Sequence, residues 1–503
     1  MLLLLLSFPL GIFAQSTAVT EAEARTVASN WLNTMDDSQS YTILDVLTNL
    51  DYDIGEDLTF YVIRYDNPAF VIVPATKFVR PILAYNTRGG VGDNFNEGET
   101  HGAFYLFSSY NRAIEIHEST EAYMDLAQSQ WAVGPTCTGA NSNYGGAALL
   151  EHYHTSRWMG RDQIFNCMTE FNTWPNPHNR TRGFNTCVPT AVSQIIKYYR
   201  HPYQGSTVIP AYSSNASINH QTHIYDYEIM PFKSGNWGVT GGFGQNPNPT
   251  GPNGPFDLYY PYCGDGTITN RADAPTMAQM GQLLFNAGSS AKMHWFVGTY
   301  QASGTWAAGM ASNFDYNFLS NNSISTQASF HGITLGNTVL SPSLFKQKIR
   351  TSILDERPVL FAGFTSPTGG GHAFLLDGFQ CDNFFHVALG FSGEYDGYYH
   401  LFTADANGTY GQLSYQYGQS AAVEIHPNCN LTTDIVINNK TYTSEELEQA
   451  QNNITASNAT VQAGSKTFMI GGNSVELTSD VEVVLGAELF INIETCGVPK
   501  QGN

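Results

Sequence analysis

Apolar positions along this chain switch between two periods, and the switches mark its organisation. Ala24, Val27, Ala28, Trp31 and Leu32 fall on one face of a helix over residues 20–35. The period then shortens. Residues 60–65 and 70–74 are short apolar runs that predict strands, with Asp66-Asn67-Pro68 as the hairpin turn between them, and 82–85 predicts another strand. Residues 15–130 therefore predict a small α+β unit. Residues 130–144, rich in small and polar side chains, predict a linker.

The next region, 131–427, is mixed. Helical spacing predicts helices over 188–200, 276–287 and 343–356, and Pro202 ends the first of them. From Pro358 onward the pattern is that of short apolar-aromatic strands, at 359–364, 373–379, 384–389 and 398–402. Asp377-Gly378, Asp382-Asn383 and Asp396-Gly397 supply turn chemistry between or beside them. Helices first and an antiparallel sheet afterwards is an α+β order. The tail, 428–503, loses aromatics and gains Asn, Thr and Ser. Runs at 467–470, 481–485 and 489–493 predict strands of a small β-rich accessory module, and the acidic stretch 444–453 predicts a helix. The first 14 residues, MLLLLLSFPLGIFA, have the length of a signal-peptide core and fall short of the roughly 20 residues that span a bilayer. Gln15 would follow cleavage. A basic leader is missing, and a buried N-terminal element is the competing reading.

Composition narrows the classes. The chain has 503 residues, enough for two or three domains, and 42% of them are hydrophobic, so a packed core is expected. With 28 Tyr, 30 Phe and 47 Gly, β-rich and turn-rich architecture is favoured over helical bundles. A net charge of −21, with only 22 Lys and Arg, argues against nucleic-acid binding. The acidity suits a soluble exported protein, and no second long apolar run predicts a membrane span in the mature form. There are seven cysteines, an odd number. An exported chain tends to pair them, which leaves one over, but the pairing is not legible.

Cys187 opens the apolar helix predicted from residue 188. Unpaired N–H groups and the helix dipole there favour an anion and are expected to lower a thiol pKa. Pro189 fits the first turn, where its missing N–H costs nothing. Position alone equally suits a structural or disulfide cysteine. A thiol nucleophile needs a base that later protonates the leaving amine. His372 follows Gly369-Gly370-Gly371 and opens a strand, 185 positions after Cys187, so the two meet only in space. A surface loop histidine is the competing reading. The spacing of the other histidines and cysteines matches no zinc pattern, and there is no phosphate loop, dinucleotide fingerprint or Gly-x-Ser-x-Gly elbow. No metal or cofactor is expected.

These residues resemble a family. Thr186-Cys187-Val188-Pro189-Thr190-Ala191, then Gln194 and Lys197-Tyr198-Tyr199, is similar to the Gly-Cys-Val-Ala-Thr-Ala, Gln and Lys-Tyr-His pattern of the streptopain-like cysteine peptidases, secreted bacterial enzymes of papain-like fold. Gly371-His372-Ala373-Phe374-Leu375-Leu376-Asp377-Gly378 resembles their histidine motif. Residues 279–309 resemble the segment before their substrate-side loop, and 70–85 their inhibitory pro-domain.

The resemblance implies an exported zymogen with four parts: a signal peptide at 1–14, an inhibitory pro-domain at 15–130, a papain-like peptidase domain at 131–427 and the accessory module at 428–503. Cys187 would be the nucleophile and His372 the general base and acid, acting on protein or peptide substrates. Gln163, in Arg161-Asp162-Gln163-Ile164-Phe165-Asn166, would donate to the oxyanion beside the Cys187 N–H, with Arg161 standing where the family has Trp. One departure bears on rate. The family's Asn-Trp-Gly-Trp-Gly-Gly is here Ala388-Leu389-Gly390-Phe391-Ser392-Gly393, so the orienting Asn is Ala388 and its shielding Trp is Leu389. Thr186 and Pro189 also replace the family's Gly and Ala around the nucleophile. Retention of Cys187 and His372 favours an endopeptidase. Ala388 favours a peptide-binding or inhibitory relative with little turnover. A different acyl transfer on the same dyad is the third reading.

Overall fold

The structure is a computed structural model. It describes residues 17–92 except 88; 101–134 except 121–123; 187–211 except 206; 223–227 and 230; 274–293; 310–317 except 311; 333–335, 338–340 and 342–364; 371–400 except 381–383 and 391–394; and 417–496. The chain divides into two compact units, residues 1–88 with 110–136 and residues 89–109 with 137–503. Residues 1–14 lie outside the described residues.

In the first unit, helix α1 (Glu21–Met35) starts where Thr20 caps it, its hydroxyl accepting from the Glu23 N–H at 3.3 Å. The periodic face read from sequence is the buried one: Ala24, Ala28, Trp31 and Leu32. It packs on an antiparallel meander of β1 (Ile43–Thr48), β2 (Phe60–Tyr65), β3 (Ala69–Pro74) and β4 (Ala84–Asn86). Trp31 meets Tyr85 edge-on at 5.3 Å.

Helices α2 (His101–Thr120) and α3 (Met124–Val133) are additions to the sequence reading. In α2 the buried positions Ala103, Leu106, Phe107, Tyr110, Ala113 and Ile114 follow helical spacing. The predicted linker at 130–144 is corrected at its start. Residues 130–133 are the end of α3, held by Trp131 Nε1 donating to the Val79 carbonyl at 2.8 Å.

The second unit is built on helix α4 (Cys187–Tyr199), which is apolar nearly all round and correspondingly buried. It packs on α5 (Ala274–Ser290) and on a sheet; α6 (Pro342–Leu354) lies against the same sheet. The strands are β5 (Tyr316–Asn317), β6 (Ile333–Leu335), β7 (Thr338–Leu340), β8 (Val359–Phe364), β9 (Gly371–Gln380), β10 (Phe384–Ala388), β11 (Gly397–His400), β12 (Tyr417–Ala422) and β13 (His426–Pro427). The main sheet runs β11-β10-β9-β8-β12-β6-β7, antiparallel except for β12 beside β6, while β5 pairs with β13. The expected α+β class holds: one core helix faces a largely antiparallel sheet. Buried phenols in the core find acceptors: Tyr198 donates to the Glu356 carbonyl at 2.7 Å and Tyr199 to the Ile425 carbonyl at 2.6 Å.

The tail is a parallel β-solenoid of three coils. β14 (Asp434–Asn438), β17 (Asn453–Ser457) and β20 (Ser474–Leu477) stack on one side. β15 (Thr441–Tyr442), β18 (Thr460–Val461) and β21 (Glu482–Val483) form the second, and β16 (Glu446–Ala450), β19 (Lys466–Gly471) and β22 (Glu488–Ile493) the third. The helix expected over 444–453 is therefore a correction. Glu446–Ala450 is a strand laddered on β19, because long-range pairing outweighs the local helical preference of its Glu, Leu and Gln.

In β19, alternation serves two cores at once. Met469 faces the solenoid interior, while Phe468 and Ile470 join the core of α4 and the main sheet. At the corner after it, a Cβ on Gly472 would lie 1.8 Å from the Gln451 carbonyl oxygen, so only glycine fits. Charge completes the join: Glu494 takes Arg200 at 2.9 Å and the Tyr203 hydroxyl at 2.5 Å, and Lys466 reaches Asp226 at 2.9 Å. A disulfide, Cys429–Cys496, closes the solenoid at its base with Cα atoms 5.8 Å apart.

Two predictions follow from this join. Burial pushes His201 down to about 4, although Asp315 pulls it the other way. The folded state therefore keeps His201 neutral while the unfolded chain protonates it. Stability is full above about pH 6.5 and falls by about 3 kcal/mol as pH drops through about 4. Urea unfolding across that window should show the slope, and His201→Gln should flatten it. Replacing both Cys429 and Cys496 by Ser opens a loop of 67 residues. It should cost about 4 kcal/mol of stability in the same assay.

Candidate active site

Because α4 begins at Cys187, the sulfur sits among free helix N–H groups, and the packing of α4 on β9 adds one from the sheet. Sγ accepts from the backbone N–H of Ala373 and of Val188, and the N–H dipole of Cys187 itself also favours negative charge there. Ala373 directly follows His372, so this contact brings the thiol to the start of β9. The packing behind it is apolar: Val188, Ala191, Ala373 and Leu375 belong to one core cluster with Cys187 against it. The helix terminus was expected to lower the thiol pKa. The structure reverses the sign: burial pushes the Cys187 thiol up, and this outweighs the three N–H groups that pull it down.

His372 is buried, which sets aside the surface-loop reading. Its Nε2 lies 3.0 Å from the Leu389 carbonyl oxygen. A carbonyl only accepts, so Nε2 carries the proton and, in the neutral ring, Nδ1 keeps its lone pair. The imidazole stacks on Phe374 at 5.9 Å. Leu389 in turn donates its N–H to Asp396 Oδ1 at 2.8 Å. A proton-accepting ring nitrogen and a thiol on adjacent elements are the parts needed for nucleophilic acyl transfer.

Residues 160–399 match the Peptidase C10 family, and residues 16–114 match the Spi protease inhibitor family. The streptopains of Streptococcus pyogenes serotype M1 and serotype M28 are each 25% identical over 377 residues, covering 73% of this chain and 80% of the relative. These matches support a streptopain-like cysteine peptidase family for this chain. Among solved structures, a fragment of prointerpain A from Prevotella intermedia aligns with 16% identity and a TM-score of 0.44, covering 76% of this chain and 98% of that one.

Cys187 is free among the described residues, whereas Cys429 and Cys496 are paired. The other four cysteines and Gln163 lie outside the described residues, as do His152 and His154. Among the described residues no group of three or more His, Cys, Asp or Glu side chains is placed to hold a metal ion. A histidine–carboxylate pair, His386 Nδ1 to Asp377 Oδ1 at 2.5 Å, is fully buried between β9 and β10. There β10 skips Asp377 in its register with β9, and the bulge turns that carboxylate toward His386. Sequence reading missed Asp396 as part of the site. Its only signal was an Asp-Gly turn pair, which says nothing of a contact to residue 389.

The raised thiol has a measurable consequence. In the unprocessed chain, iodoacetamide should label Cys187 slowly at neutral pH and faster as pH rises beyond the usual thiol range. Peptide mass spectrometry of labelling rates against pH reads this directly. Fast labelling with a plateau at neutral pH would contradict it.

Proposed function

We propose that this chain is the exported zymogen of a cysteine endopeptidase whose nucleophile is Cys187 and whose general base and acid is His372. The observation that carries the reading is the hydrogen bond from the Ala373 N–H to Cys187 Sγ, because it sets the free thiol beside the residue that follows His372. His372 Nδ1 takes the thiol proton, and Sγ attacks the peptide carbonyl carbon. The tetrahedral oxyanion is met by the Cys187 N–H and the Gln163 side chain. The imidazolium then protonates the leaving amine as the C–N bond breaks. Water, deprotonated by the same imidazole, hydrolyses the thioester and regenerates the thiol.

The remaining assignments belong to the same proposal. Residues 15–130 act as an intramolecular inhibitor, which the inhibitor-family match over 16–114 supports. Residues 131–427 form the peptidase domain and 428–503 the module that abuts it. Substrates are proteins or peptides. Export after removal of residues 1–14 agrees with the Cys429–Cys496 disulfide, which an oxidising compartment preserves. Among the described residues no helix is long and apolar enough to cross a membrane.

Purified chain lacking residues 1–14 should process itself near residue 130, and Cys187→Ala and His372→Ala should each stay intact under the same conditions. Cleavage of a fluorescently labelled unfolded protein should fall by about a thousandfold or more in both variants. Processing and turnover that survive Cys187→Ala would remove the assignment.

A further inference from the structure

Ala388 stands where a side-chain amide would be expected to orient the histidine, and it is buried in the apolar core, with nothing to offer an imidazole. Yet His372 is not left to rotate. We propose that the main-chain carbonyl of Leu389 orients His372, and that Asp396 is the positioning residue that holds this carbonyl in place. The inference rests on the reading of Cys187 and His372 as the reacting pair.

The geometry is a relay across the end of two strands. β10 ends at Ala388, whose last partner in β9 is Leu375, so residue 389 is the first to leave that ladder. Gly390 then turns the chain with φ at +83°. Without a further hold, the Leu389 carbonyl would sample several directions. Asp396 supplies the hold by accepting the Leu389 N–H at 2.8 Å. It immediately precedes β11, whose Gly397 pairs with Val387 of β10, so the carboxylate faces residue 389 across neighbouring strands.

Asp396 is itself pinned. Tyr395 sits at φ +61°, an uncommon conformation for a residue with a side chain. Its N–H donates to the Gly90 carbonyl at 3.1 Å, and its own carbonyl accepts the Tyr399 hydroxyl at 2.6 Å. A carboxylate only 3% exposed is costly to keep without a task.

The consequence is electronic as well as geometric. An acceptor at Nε2 stabilises the tautomer with the proton there and puts the ring's basic lone pair on Nδ1. It also strengthens when the ring becomes cationic. The missing side-chain amide is thus replaced by a peptide oxygen, and a buried aspartate does for that peptide what packing does for a side chain.

The test compares Asp396→Ala with Asp396→Asn in the full chain lacking residues 1–14. The Asn variant keeps an oxygen that accepts the Leu389 N–H. Asp396→Ala should lower kcat about tenfold or more with KM changed less than about twofold, and Asp396→Asn should restore most of the loss. A second readout does not need turnover. In 15N-histidine-labelled chain carrying Cys187→Ala, with the His372 signals assigned by loss in His372→Gln, the neutral ring should be the Nε2–H tautomer. It should become a mixture of tautomers in Asp396→Ala and return to one in Asp396→Asn. An unchanged tautomer in Asp396→Ala overturns the positioning role. If Cys187→Ala abolishes cleavage while Asp396→Ala alters neither kcat nor tautomer, the dyad stands and this inference falls. If even the unmodified chain cleaves nothing, the dyad reading falls and the tautomer alone decides this one.

Discussion

The contact on which the site depends is the seat of helix α4 against strand β9. It is an apolar contact: Val188, Ala191 and Val192 on one side meet Ala373 and Leu375 on the other within a single core cluster. Hydrophobic packing has no direction of its own. Direction comes from the hydrogen bond of the Ala373 N–H to Cys187 Sγ, which fixes the helix start at the strand start. Two residues 185 positions apart in the chain become neighbours only through this contact. The same burial that makes the contact firm also keeps the thiol protonated, so assembly of the site and restraint of its reactivity have one cause.

The solenoid is part of this arrangement and not an appendage to it. Its strand β19 presents Phe468 and Ile470 to the core of α4, and Glu494 grips Arg200 and Tyr203 just beyond the end of that helix. Lys466 lies over the stacked rings of Phe468 and Phe490, at 4.9 and 4.5 Å, while also pairing with Asp226. Both ends of α4 are therefore held, the first by the sheet that carries His372 and the last by the β-solenoid. A helix fixed at both ends holds its first residue to a narrow range of positions, which suits a nucleophile.

Much of this was legible. Strands 359–364 and 60–65 were read with the bounds observed, and the three helices of the larger unit to within three residues at every end, because strong apolar periodicity survives into the fold. Misreadings have specific causes. Residues 444–453 carry helix-forming residues but sit in a ladder with β19, and a parallel ladder is invisible to local propensity. The solenoid repeat was overlooked because its step varies: Asp434 lies over Asn453, and Asn453 over Ser474, 19 and then 21 positions on. In α2 the helical period is carried by Ala103, Leu106, Phe107, Tyr110, Ala113 and Ile114 and is legible in the sequence.

The sequence by itself determined the chemistry on offer: a thiol at a helix start and a histidine at a strand start. These are properties of residue type and local spacing, which a linear chain expresses fully. Tertiary structure decided how that chemistry is supported. Ala388 reads as a loss, since sequence records side chains and the missing one is an amide. The fold answers with a backbone carbonyl at Leu389, set by Asp396. Every residue owns such a carbonyl, so no residue type announces which one is aimed at the ring; only the path of the backbone does.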